Sequence, residues 1–168
     1  MKRMVRSLLT TLLVGAAVSR SLCAAPAPQR VNLLPLADVR LLDGPVRTAM
    51  ERDAAYMLSL EPDRLLHNFR INAGLPSAAQ PLGNWERPES ELRGHLTGHY
   101  LSACALMYAS TGDERFKQRV DLLVAELAKC QAALGADGYL SAFPEAFFDR
   151  LEKDGKVWAP YYTLHKIF

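Results

Sequence analysis

Three residues in the middle of the chain, Thr111-Gly112-Asp113, most constrain what it can fold into. Gly112 suits the left-handed exit of one helix, and Asp113 suits the N-cap of the next. Before them, Leu96, Tyr100, Ala103 and Met107 recur at the spacing of a buried helical stripe. After them, Phe116, Val120, Leu123, Val124 and Leu127 continue toward Gln131 and Leu134 with the same period. Two helices joined by so short a turn must pack antiparallel, as an αα-hairpin. With 49% hydrophobic and 23% charged residues, a chain of 168 residues can bury a sizeable core in one domain.

The remaining segments extend the helical reading. Val31 to Leu42 alternates apolar residues around Pro35 and reads as an extended lead-in. Asp43-Gly44-Pro45 starts a helix that runs to about Leu60, with Val46, Met50, Ala54 and Met57 on its inner side. Pro62 opens a second, shorter helix through Arg70. Asn72 to Glu91 is rich in Gly, Pro, Ser and Asn and reads as a long loop, yet Trp85 in its middle is costly to leave in water. Ala136-Asp137-Gly138-Tyr139 and Gly155 mark later turns, and a new apolar segment begins at Trp158 with Pro160 inside it. The final residues have a helix start behind them and no stop signal ahead. The expectation is an all-α part of something longer, unstable and prone to aggregate when its apolar helix faces lack partners.

The start of the chain is of another kind. Lys2, Arg3 and Arg6 precede an apolar run from Leu8 to Val18, and small residues come next at Cys23, Ala24 and Ala25. That is the pattern of a secretory signal over residues 1–25, with an apolar run too short to span a bilayer comfortably. Ala25-Pro26-Ala27-Pro28 continues it as a short extended tether, residues 26–30. A secreted or periplasmic location is expected, with no stable membrane anchor after cleavage. The formal charge of +2 rests on these early basic residues, and the remainder of the chain has a slight acidic excess. No basic stripe is present, which argues against nucleic acid as a partner. Cys104 and Cys130 fall in helical apolar patterns; sequence leaves open whether they pair.

The chemistry-bearing stretch is Arg93 to Ala103, where His95 and His99 sit four residues apart and share a helix face about 5.4 Å from each other. Glu91 extends that line if the helix starts early enough. A metal site built from Glu91, His95, His99 and His165 lacks the glutamate beside the first histidine that a metalloprotease helix carries. Glu86, Glu89, Glu91 and Glu145 offer carboxylates, but no spacing singles out an acid and its partner. No Gly-x-Ser-x-Gly elbow and no phosphate-cradling glycine loop appears. A carbohydrate-lining surface is the third option: Trp85, Tyr100, Tyr139, Tyr161 and Tyr162 among His95, His99 and His165 offer flat apolar faces beside hydrogen-bonding groups, although aromatics are more often core.

A series of motifs sharpens this. Asp63-Arg64-Leu65-Leu66-His67-Asn68-Phe69-Arg70, Asn72-Ala73-Gly74-Leu75-Pro76, Gly83-Asn84-Trp85-Glu86, Gly94-His95-Leu96-Thr97-Gly98-His99-Tyr100-Leu101-Ser102-Ala103, Asp137-Gly138-Tyr139-Leu140 and Pro160-Tyr161-Tyr162-Thr163-Leu164-His165-Lys166 come one after another in order. Over Val31 to Phe168 the series resembles the β-L-arabinofuranosidase superfamily, glycoside hydrolase families 127 and 146. One departure is Asn84, where the family tends to have a second glycine before Trp-Glu. The resemblance implies that residues 31–168 are the N-terminal part of an (α/α)6-barrel catalytic domain, here an incomplete barrel, from an enzyme releasing terminal L-arabinofuranose from plant-type glycans. It implies a substrate-binding set of His165, His99, His95, Trp85, Glu86 and Tyr139. It also implies retaining chemistry at a zinc-held cysteine thiolate, with a glutamate as acid/base and zinc ligated by further cysteines and a glutamate. None of that zinc cluster is expected in this chain: Cys104 and Cys130 match packing positions, so no catalytic residue and no metal ligand is assigned, and the chain alone is expected to be inactive. Two other readings stay open, a non-catalytic carbohydrate-binding or scaffold module and a related barrel enzyme on another sugar.

Overall fold

The computed structural model describes residues 31–135 and 137–168, and a compact unit runs from Leu34 to Phe168. The expected signal and tether lie outside the described residues. Six α-helices succeed one another: α1 Pro45–Ser59, α2 Pro62–Asn72, α3 His95–Thr111, α4 Glu114–Leu134, α5 Ala146–Asp154 and α6 Pro160–Ile167. Short 3-10 turns occupy Leu36–Asp38 and Asn84–Glu86, and no strand occurs among the described residues. None of the helices is long and apolar enough to cross a membrane.

The hairpin at Gly112 forms as its residues dictate. Gly112 takes φ 71°, the left-handed exit, and its N–H returns to the Tyr108 carbonyl. Asp113 then accepts from Arg115 N, capping α4. α3 and α4 pack along their length, with Tyr100 and Cys104 meeting Phe116, Leu123, Leu127 and Cys130. α2 adds Leu65, Leu66 and Phe69 to the same core. Each of these fully buried apolar side chains contributes roughly 1.5–3 kcal/mol relative to exposure.

Polar ties fix the helices against one another. Arg119 of α4 donates to the Leu58 and Leu60 carbonyls, satisfying the open C-terminal end of α1. Arg70 of α2 pairs with Glu126 of α4 at 2.7 Å, both side chains mostly buried. Tyr100 Oη donates to Met57 O, and Thr97 Oγ1 to Leu65 O. Gly98 lets α6 lie directly on α3: a Cβ there would stand 2.0 Å from the Lys166 carbonyl oxygen. Glycine inside a helix costs about 1 kcal/mol against alanine, and here the close approach is the return.

Two expectations are corrected, one element is added and one open question is answered. Val46 is largely exposed, so α1 buries only its C-terminal half, through Met57. Tyr100 belongs to the core and lines no surface. α5 has no counterpart in the sequence reading; its nine residues come after Phe143-Pro144-Glu145 and end at Gly155, φ 65°. Cys104 and Cys130 are both buried and free, so they form no disulfide with each other.

Candidate carbohydrate-binding site

The site begins with the turn at 84–86. Asn84 takes φ 52°, a left-handed conformation that asparagine tolerates and glycine adopts freely. The turn sends its next two side chains opposite ways. Trp85 stays 60% exposed while Glu86 is 6% exposed. Asn68 of α2 holds the turn from below, its Nδ2 donating to Glu86 O at 2.7 Å.

Glu86 closes the start of α3. Gly94 N donates to its Oε2 at 2.6 Å and Leu96 N to its Oε1 at 2.8 Å. These are among the first N–H groups of a helix, which have no partner within it. A buried carboxylate on that positive end satisfies both hydrogen bonding and the helix dipole. Gly94, at φ 96°, makes the corner; a Cβ there would meet Ala142 Cβ at 2.5 Å. The helix therefore starts at His95 and Glu91 lies before it, off the expected line. Glu91 instead pairs with Arg150 and accepts from Trp158 N at 2.7 Å. That contact brings the segment ahead of α6 to the mouth of α3.

Around this frame the aromatic and imidazole rings gather. His95, buried, has Nδ1 2.7 Å from Glu86 Oε1 and 2.9 Å from Leu92 O. Its ring lies 6.1 Å from Trp85, 6.0 Å from His99 and 5.9 Å from Tyr162. His99 is exposed, and its Nε2 is 3.1 Å from Tyr162 Oη. Desolvation, then the charge of Lys166 and the neighbouring imidazoles, holds His99 below the ordinary histidine value. His165 stands edge-on to Tyr162 at 5.2 Å, and Lys166 Nζ lies 5.2 Å over the same ring. Trp158 meets Trp85 edge to face at 5.9 Å. Beside Trp85, His95 and Trp158 opens a cleft of about 770 Å³, lined also by Asn84, Glu86 and Arg87, while His99, Tyr162 and His165 adjoin it through the ring of His95 and do not line it.

Of the six residues singled out from sequence, five share this region: Trp85, Glu86, His95, His99 and His165. Tyr139 does not. Its hydroxyl donates to Phe143 O at 2.7 Å and its ring meets Phe148. Trp158 joins the site although sequence reasoning marks it only as the start of an apolar segment. An exposable tryptophan three residues before the Tyr161-Tyr162 pair is the signal that could have found it.

Residues 38–168 match the family model described as β-L-arabinofuranosidase, GH127 catalytic domain. The chain belongs to that family. No curated protein matches it. The β-L-arabinofuranosidase family is one of glycoside hydrolases, so a carbohydrate is the class of substrate, and the all-α fold expected from the resemblance is the one observed.

The two described cysteines, Cys104 and Cys130, do not suit the zinc-thiolate centre that the resemblance implies. Burial pushes the thiols of Cys104 and Cys130 up, away from thiolate. No three His, Cys, Asp or Glu side chains among the described residues are placed to share a metal ion. Glu86, the acid in the cleft wall, already has both oxygens occupied by donors from α3. What this region offers is two exposed indoles, three imidazoles and a phenol.

Proposed function

We propose that this chain is the sugar-binding portion of an exported β-L-arabinofuranosidase, that its cleft receives a terminal L-arabinofuranose ring, and that the 168 residues alone do not turn it over. The observation that carries the reading is the cleft itself, where exposed Trp85 and Trp158 meet at right angles above His95. A furanose presents a CH face to an indole and hydroxyls to imidazole nitrogens, and a cleft of this volume admits one or two sugar rings. Export is supported by the basic start and apolar run before residue 25. Inactivity is supported by the burial of the two thiols, which pushes them up and away from thiolate, and by the absence of an uncommitted carboxylate among the described cleft-lining residues.

The test titrates the purified chain with methyl β-L-arabinofuranoside while following tryptophan fluorescence, beside an assay with an aryl β-L-arabinofuranoside. The expected result is a saturable fluorescence change that weakens about tenfold in Trp85→Ala, with no aryl release. Binding unaffected by Trp85→Ala would displace the site, and turnover would overturn the inactivity.

A further inference from the structure

Glu86 is the least expected residue in the cleft wall. It is the carboxylate beside the exposed tryptophan, yet its oxygens face inward. Its carboxylate takes two backbone N–H groups from Gly94 and Leu96 and lies 2.7 Å from His95 Nδ1. The second neighbour of that nitrogen is the Leu92 carbonyl at 2.9 Å, which also accepts from Thr163 Oγ1 of α6. Both partners of Nδ1 are acceptors only. An imidazole nitrogen between two acceptors must carry the proton. In its neutral form the ring then has its lone pair on Nε2, which has no hydrogen-bond partner among the described residues and is not sealed from solvent.

We propose that Glu86 is a positioning residue for His95. By bridging the first turn of α3 and the Nδ1–H of His95, it ties the ring's tautomer and orientation to the start of the helix. His95 Nε2 is thereby presented to the cleft as a hydrogen-bond acceptor for a sugar hydroxyl. This rests on the carbohydrate reading for the ligand, but not for the tautomer. The arrangement obeys the logic of carboxylate-oriented histidines at metal centres, where the partner of one ring nitrogen decides what the other can do. Here the other nitrogen faces a hydroxyl donor, and the carboxylate makes it a better acceptor.

The experiment has two arms. In the first, nitrogen-15 imidazole spectra of the wild-type chain near neutral pH read the His95 tautomer with no ligand present. A single Nδ1–H species is expected; an Nε2–H species or an even mixture overturns the proposal, whatever the sugar does. In the second, binding of methyl β-L-arabinofuranoside is compared in wild type, Glu86→Gln, His95→Ala and the double variant, well below their melting temperatures. Glu86→Gln is expected to weaken binding about tenfold, and the double variant to be no weaker than His95→Ala. A Glu86 that only capped α3 would lower the melting temperature and leave affinity unchanged, or add independently to His95→Ala; either result overturns the proposal. An Nδ1–H tautomer in a chain that binds no arabinofuranoside would uphold the positioning of His95 and sink the carbohydrate reading instead.

Discussion

The molecule carries two aromatic clusters, and α6 contributes to both: Tyr161 to one and Tyr162 to the other. In the first, Phe143 and Phe147 stack at 5.1 Å and Phe148 packs on Tyr161 at 4.9 Å. Arg93 and Arg150 lie over Phe147 at 5.2 and 5.1 Å, so the phenyl ring touches a guanidinium twice. Most polar handles there are spent within the chain, Tyr139 Oη on Phe143 O, Arg93 Nε on Ala142 O and Arg150 on Glu91, while Tyr161 at its edge is exposed. In the second cluster, Trp85, Trp158, His95, His99, Tyr162 and His165 meet edge-on or tilted, with indole faces open to water. Both are built on aromatic rings, but the first pairs phenyl rings with guanidinium groups and the second pairs indoles with imidazoles. A closed cluster holds the loop from Ser141 to α5 in place; an open one is left with something to offer.

That contrast can be broken from the closed side first. Phe143 is fully buried, so Phe143→Ala should cost about 4 kcal/mol through lost transfer energy and a cavity, whereas Trp85→Ala at an exposed position should cost less than about 1 kcal/mol. Thermal or urea melts of the two variants decide it; equal losses would mean that the clusters are not different in kind. Next is the seam that carries both. Gly98→Ala drives a methyl into the Lys166 carbonyl, and α6 must shift, at about 3 kcal/mol. A fall in melting temperature on the order of 10 °C should result, together with loss of sugar binding as Tyr162 and His165 move away. An unchanged melt would deny the α3–α6 contact.

The smallest effect sharpens the account of Tyr139. Tyr139→Phe removes one hydrogen bond, worth about 1 kcal/mol, and should leave sugar affinity untouched. Burial pushes the Tyr139 phenol up to about 12 from an ordinary 10. A group whose value is raised by folding stabilises the folded form fully below its unfolded value and stops doing so as pH climbs past the folded one. Stability should therefore decline between about pH 10 and 12, and Tyr139→Phe should blunt that decline. Alkaline melts that coincide in the two proteins would count against the buried hydrogen-bonded phenol.

What the sequence showed and what it hid divide along the range of the interactions. The αα-hairpin was legible because Gly112 and Asp113 act on their immediate neighbours, and Pro45 and Pro62 likewise mark the starts of α1 and α2. The histidine pair was legible because four-residue spacing is a local rule. The start of α3 was not: Gly94 at φ 96° ends the line short of Glu91, and no pattern states a dihedral angle. Glu86 read as a substrate-binding residue, and its place at the start of α3 was hidden because its partners lie eight to ten positions along the chain. Tyr139 was grouped with Trp85 by composition, and only the partner of its hydroxyl separates them. Trp158 reaches the cleft through Glu91, a contact between residues 67 apart.

That last contact has a consequence for how the cleft comes to exist. Glu91 with Trp158 and His99 with Tyr162 close loops of 67 and 63 residues. Such closures draw their entropy cost from the packing of everything between them, here α4 on α3 and the loop around α5. A peptide carrying the whole histidine stretch would therefore contain two of the four imidazoles and one wall of the cleft without the other. The site is a product of chain closure, present only when two distant stretches have already been brought together.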